Sequence, residues 1–166
     1  MSCNRPVTGC EVSSDWDLPA PYIAALKVAA QDIDAYRHVN NIVYMNWFDR
    51  TAWAHSASLQ LPLEACIELD HGMVVVRSVI AYLRSAKLGD DILVATWILP
   101  GRSKLRIQRR FQVRRAADGV TLARADIEYA CIELSSGCPA RWPPQFIASY
   151  VSPQDVVLAS ANLAPL

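Results

Sequence analysis

Asp32-Ile-Asp-Ala-Tyr-Arg-His-Val-Asn-Asn-Ile-Val-Tyr-Met-Asn-Trp-Phe-Asp49 is the stretch on which the reading of this chain turns. A polar cluster, Asp32, Asp34, His38, Asn40 and Asn41, runs directly into an apolar, helix-like segment. Asn40 has the side chain of an N-cap, whose oxygen accepts from the first free amides of a helix. The spacing predicts a helix from Asn41 to about Ser58. Ile42, Met45, Asp49, Ala52, Trp53 and Ser56 fall near i, i+3, i+4 and i+7, while Val43, Trp47 and Phe48 are apolar on other faces. A helix apolar almost all round is expected to be buried on most sides. Asp49 and Arg50 are its polar exceptions.

The chemistry of this junction can be argued from residue types. The first amides of a helix are unpaired, and the helix dipole adds partial positive charge there, so the end at Asn41 can hold an oxyanion. Asp34 lies a few residues upstream. A carboxylate facing an oxyanion site suits acyl transfer to water, with Asp34 as general base or as nucleophile. His38 is a candidate donor or partner in water activation, and Asp49 a candidate for orienting water. Asp and Asn ahead of a helix also serve simply as caps and turn residues, and Asp32 is read as loop-forming.

The 166 residues suffice for one domain with a sizeable core. Apolar residues make up 52% and charged residues 19%, rich for a small monomer and suited to an oligomer that buries more surface. The formal net charge of zero argues against electrostatic binding of nucleic acid. No apolar run reaches the roughly 20 residues that cross a bilayer, and residues 1–15 lack the apolar core of a signal peptide. The five cysteines, Cys3, Cys10, Cys66, Cys131 and Cys138, have neither disulfide-framework nor zinc spacing. His38, His55 and His71 lack metal-like spacing, so no metal or resident cofactor is expected, and a reduced cytoplasm is.

Along the chain, residues 1–21 read as a mobile arm, 22–151 as the folded domain and 152–166 as a tail. Tyr22–Ala30 is ambiguous between strand and short helix. Leu59–His71 reads as a connection containing Pro62. Gly72–Arg84 is a long strand apolar on both faces, which a helix would cover on one side and a partner subunit on the other. Asp91–Leu99 is a further strand, ended by Pro100 and Gly101. Ser103–Arg115 alternates: Leu105, Ile107, Phe111 and Val113 face in, and Lys104, Arg106, Gln108, Arg110 and Arg114 form a basic outer face. A turn at Ala117-Asp118-Gly119 leads to the strand Val120–Leu134. Pro144–Val151 is a possible short helix, with a second tail element from Pro153 to Leu166. The class is α+β, an antiparallel sheet with one early helix.

The motif Asp32 to Tyr44 resembles the signature of the hotdog-fold acyl thioesterases, the 4-hydroxybenzoyl-CoA thioesterase-like and plant acyl-ACP thioesterase-like proteins. His71 to Arg84 resembles that family's second strand, and Lys87-Leu-Gly-Asp-Asp-Ile-Leu-Val its turn into the third. The likeness covers roughly residues 22 to 148. It implies a five-stranded antiparallel sheet wrapped around one long central helix, with Tyr22–Ala30 as the first strand. It implies hydrolysis of an acyl thioester of CoA or acyl carrier protein by a homodimer or homotetramer. Asp34 matches the family's catalytic carboxylate, the Asn41 amide its oxyanion position, and Asp49 a helix position often acidic. The plant branch uses an Asp, an Asn and a His in this motif; here Tyr36 stands where that Asn would, and the 4-hydroxybenzoyl-CoA branch often lacks the His. Tyr36 and Asn40 in the loop, with Arg102, Ser103 and Lys104 at the fourth strand, are the candidate substrate-binding residues, the last three for the phosphates of CoA. An enoyl-thioester hydratase or dehydratase, and a non-catalytic acyl-thioester binder, are the alternative readings.

Overall fold

A computed structural model describes residues 16–101, 103, 105–164 and 166. Five strands, β1 (Tyr22–Lys27), β2 (His71–Tyr82), β3 (Asp91–Leu99), β4 (Arg106–Arg115) and β5 (Thr121–Glu133), form one antiparallel sheet in the order β1-β3-β4-β5-β2. The helices are α1 (Asn41–Ser58), α2 (Leu63–Glu68), α3 (Pro144–Ser149) and α4 (Gln154–Ser160). The α+β class, the single long helix and the five antiparallel strands match the expectation. None of the described helices is long and apolar enough to cross a membrane.

Helix α1 lies against one face of the sheet. It buries Tyr44, Trp47, Phe48, Thr51, Ala52 and Ser56, one stripe at the three-to-four residue spacing of a helix. Phe48 meets Phe111 of β4 with ring centroids 5.0 Å apart, and Tyr44 meets Trp47 at 4.8 Å. Each such aromatic contributes about 1.5–3 kcal/mol by burial. The helix is therefore not buried on most sides. Ile42 and Trp53 project off the stripe and are exposed in the single chain. Pro62 caps α2, a single turn and a half where a plain connection was expected. It is too short for hydrophobic period to reveal, and it packs Cys66 into the core.

The reading of β4 as half-exposed is corrected. Arg110, Gln112 and Arg114 on its outer face are buried. What covers them is the described part of the N-terminal arm, together with the C-terminal tail. Trp16, Leu18, Trp97 of β3, Leu99 and Val156 of α4 form a second apolar cluster on that face. Trp97 Nε1 donates to the carbonyl of Pro19 at 2.7 Å. A run of outward arginines looks like a solvated face in sequence because the covering segments are distant in the chain: Asp17 lies 93 residues from Arg110 and Ala164 lies 54. Residues 1–15 lie outside the described residues.

Two arginines under this cover, Arg110 and Arg124, are paired with carboxylates. Arg110 makes two parallel bonds to Asp126 of β5, 2.6 and 2.9 Å, and reaches Asp17 at 3.4 Å. Arg124 clasps the same Asp17 at 2.8–3.0 Å. Such a fork-to-fork pair holds a buried guanidinium only while its partner is present. Asp126→Ala is expected to cost about 3–5 kcal/mol in urea unfolding, with the slope unchanged. A loss within about 0.5 kcal/mol, the range of ordinary surface substitutions, would show that the pair carries no stability.

Candidate active site and a second cavity

The loop ahead of α1 is held by its own backbone. Ile33 and Val39 form an isolated antiparallel bridge, and the Asp34 amide donates to the carbonyl of His38 at 2.9 Å. Arg37 takes a left-handed conformation, φ +62°, to close the turn. Asp34 Oδ1 accepts from the amides of Tyr36, 2.8 Å, and His38, 3.4 Å. Asp32 ties the loop down from the other side: its Oδ2 accepts from Ala29 N, and its carbonyl accepts from Asn40 N, both at 2.9 Å. Asn40 is the N-cap of α1, accepting from Ile42 N at 3.0 Å.

This arrangement brings Asp34, Tyr36, His38, Asn40 and Asn41 onto one open cleft of about 490 Å³ at the mouth of α1, walled by Tyr44, Tyr82 and Arg84. Tyr82 Oη donates to the carbonyl of Asn41 at 3.3 Å. Asp34 is partly buried within one chain. Trp47 is turned into the core and does not cover it. Tyr36 is 83% exposed.

The other sequence candidates lie elsewhere. Ser103 borders shallow grooves at the start of β4 and accepts from Leu105 N at 3.1 Å. Arg102 and Lys104 lie outside the described residues. Arg106 is paired with Glu128 at 2.8 Å. Arg110, grouped with it by alternation, is sealed under the arm and cannot meet CoA. Asp49 is not in the Asp34 cleft of its own chain; it lines a second cavity of about 230 Å³ between α1, β2, β4 and β5.

That second cavity holds residues the sequence reading passed over. Arg109, Tyr129 and Tyr150 line it beside Ala52, Trp53, Met73 and Val74. The guanidinium of Arg109 donates to His55 Nδ1 and to Ser56 Oγ, each at 2.9 Å, and sits 5.6 Å from the Tyr150 ring centre. Ser56 Oγ and Tyr150 Oη are 3.0 Å apart. Burial and the Arg109 charge push His55 down to about 3, so its Nδ1 accepts and the ring stays neutral. Burial lifts Tyr129 to about 12 and raises Tyr150, keeping both phenols protonated. Desolvation also raises the Asp49 carboxyl above its ordinary value. The signal for Arg109 was present: it occupies the inward register of β4, between Ile107 and Phe111.

The comparisons with known proteins bear on the family and the fold. The profile of the Thioesterase-like superfamily matches residues 28–149, well over half of the chain. The chain belongs to the Thioesterase-like superfamily. A curated relative, the acyl-CoA thioesterase YbgC of Haemophilus influenzae, is 24% identical over 126 residues, 75% of this chain and 90% of that protein. Among solved structures, Slr0204, a 1,4-dihydroxy-2-naphthoyl-CoA thioesterase from Synechocystis, superposes with TM-score 0.71 at 22% identity, over 79% of this chain and 96% of its own. SAV2348 of Staphylococcus aureus, solved in complex with CoA, gives TM-score 0.72 at 18% identity, over 82% and 85%. The reading as a hotdog member of the thioester hydrolases is borne out.

The neutral His55 sets a pH dependence. Between about pH 3 and pH 6.5 the unfolded chain carries more proton on this residue than the folded one. Its contribution therefore erodes as pH falls through that window, by about 3 kcal/mol at pH 4. Urea unfolding across pH 4–8 of wild type and His55→Asn measures it: the acid-side slope is expected to flatten in the variant. An imidazole that titrates near 6.5 by NMR in the folded protein contradicts this.

Proposed function

We propose that the protein hydrolyses an acyl-CoA thioester to free acid and thiol at the Asp34 cleft. The observation that carries the reading is the convergence of the Asp34 carboxylate and the N-terminus of α1 on one cleft, within a chain of the Thioesterase-like superfamily. The thioester carbonyl oxygen takes the Asn41 amide and the positive end of the helix, which stabilise the developing oxyanion. Asp34 acts on the carbonyl carbon, either through a water whose proton it accepts or by direct attack to an anhydride that water opens. His38, on the same cleft, donates toward the thioester or the water. Tyr36 and Asn40 border the entering substrate. The name of the H. influenzae relative supports CoA as the carrier.

Thiol release from a panel of short, medium, long and aromatic acyl-CoAs tests this, with acyl carrier protein esters run alongside. Asp34→Asn is expected to lose about 10²–10⁴-fold in kcat/KM, the range of a positioned acid–base group. Full turnover in Asp34→Asn removes Asp34 from the mechanism. Hydration of crotonyl-CoA without thiol release favours the hydratase chemistry instead.

The working unit is a pair of chains. β2 is an edge strand of twelve residues, and Val74, Val75 and Val76 at its centre are 38–49% exposed. A long apolar edge recruits another strand, and pairing of two β2 edges covers these valines together with the open side of the second cavity. Val75→Lys is expected to convert the dimer to monomer by light scattering after size exclusion. A wild type that runs as a monomer overturns the pairing.

A further inference from the structure

Arg109 is charged, 3% exposed, and has no carboxylate within ion-pair distance among the described residues. Its neighbour in sequence shows what the fold does with a buried guanidinium when stability alone is served: Arg110, equally buried, is clamped by Asp126 and Asp17. Arg109 instead has neutral partners, His55, Ser56 and the Tyr150 ring. A guanidinium stays protonated in proteins and carries five N–H donors, of which His55 and Ser56 take two. An uncompensated buried charge costs several kcal/mol. The cost is incurred on the wall of a cavity, where a ligand can offset it.

We propose that Arg109 is an anion receptor in this cavity, and that the acyl group handled by the protein ends in a carboxylate remote from the thioester. The second half rests on the thioesterase reading; the first does not. A carboxylate matches the guanidinium fork with two parallel bonds. The Tyr129 hydroxyl, held in protonated form by its burial, adds a donor on the same wall. Trp53, Met73 and Val74 supply apolar wall for the methylenes or ring that precede it. Asp49 borders the cavity, is exposed, and makes no ion pair with Arg109. The cavity and the Asp34 cleft share α1: the eight residues from Asn41 to Asp49 advance roughly 12 Å along its axis, which separates the two ends of the acyl group.

Two measurements on the full chain test this. The first is direct binding of free octanoate against octanamide, which needs no turnover, followed by calorimetry with wild type, Arg109→Lys and Arg109→Met. Octanoate is expected to bind wild type about tenfold or more tightly than octanamide, and Arg109→Met to abolish the difference. The second is kcat/KM for succinyl-, adipoyl-, suberoyl- and sebacoyl-CoA against butyryl-, hexanoyl-, octanoyl- and decanoyl-CoA. At the best length the acid-ended ester is expected to lead, and Arg109→Met to shift the ratio by about 100-fold toward the methyl-ended ester. Arg109→Lys, which keeps the charge without the fork, is expected to fall between and serves if Arg109→Met does not fold. Octanoate discrimination with no thiol release from any ester leaves the receptor standing and removes the hydrolase reading. Equal binding of octanoate and octanamide by wild type overturns the receptor. Preference for methyl-ended esters in wild type overturns the carboxylate-ended substrate.

Discussion

The packing of Tyr44, Trp47 and Phe48 into the inner face of the sheet is the constraint from which the rest follows. Those side chains fix the rotation and height of α1, and with them the position of its first turn. The loop from Ile33 to Val39 then has little choice. Its bridge, the Asp32 contacts to Ala29 and Asn40, and the Asn40 cap all refer to that helix end. A chemically useful carboxylate on a flexible loop would be poorly placed; here it stands on a short turn tied to the end of a helix whose aromatic stripe is packed on the sheet.

β4 shows how one strand serves two different demands. On its outer face Arg110 is neutralised by Asp126 and Asp17, and Arg114 bonds the Gly119 carbonyl under the Trp16 ring, so that the chain ends close the sheet's back. From Ile107 to Val113 its inner face is apolar except at Arg109, where charge is set among hydroxyls and an uncharged imidazole. Alternation along a strand puts residues 109 and 110 on opposite faces, so a single Arg-Arg pair contributes a clamp on one side and a ligand-seeking group on the other.

Much of this was readable from residues. The helix from Asn41 to Ser58, its Asn40 cap and the strand Asp91–Leu99 follow from capping chemistry and runs of β-branched residues, which are local signals. The cluster of Asp34, His38 and Asn41 is also local, and the loop brings it together as its spacing suggests. What escaped was non-local. Arg110 and Arg114 look solvated until the arm at Trp16–Leu18 and the tail at Val156 are laid over them. The buried stripe of α1 differs from the one its spacing predicts because several apolar faces compete, and only the sheet decides among them. Asp49 shares a helix with Asn41 yet faces another cavity, and Arg109 hides within a strand whose arginines all look alike.

The strand order carries a consequence for how the chain is made. β2 is complete by residue 82, but its one neighbour in the sheet, β5, begins at Thr121. A twelve-residue strand rich in valine must therefore wait while β3 and β4 are synthesised and paired with each other. At typical elongation rates of about 5–20 residues per second, the wait lasts several seconds. During that interval its backbone donors and apolar side chains are open to any other nascent copy. The edge that suits this protein to association once folded is thus also its most vulnerable segment at birth, and the long separation of β2 from β5 makes chaperone protection most useful just before the last strand emerges.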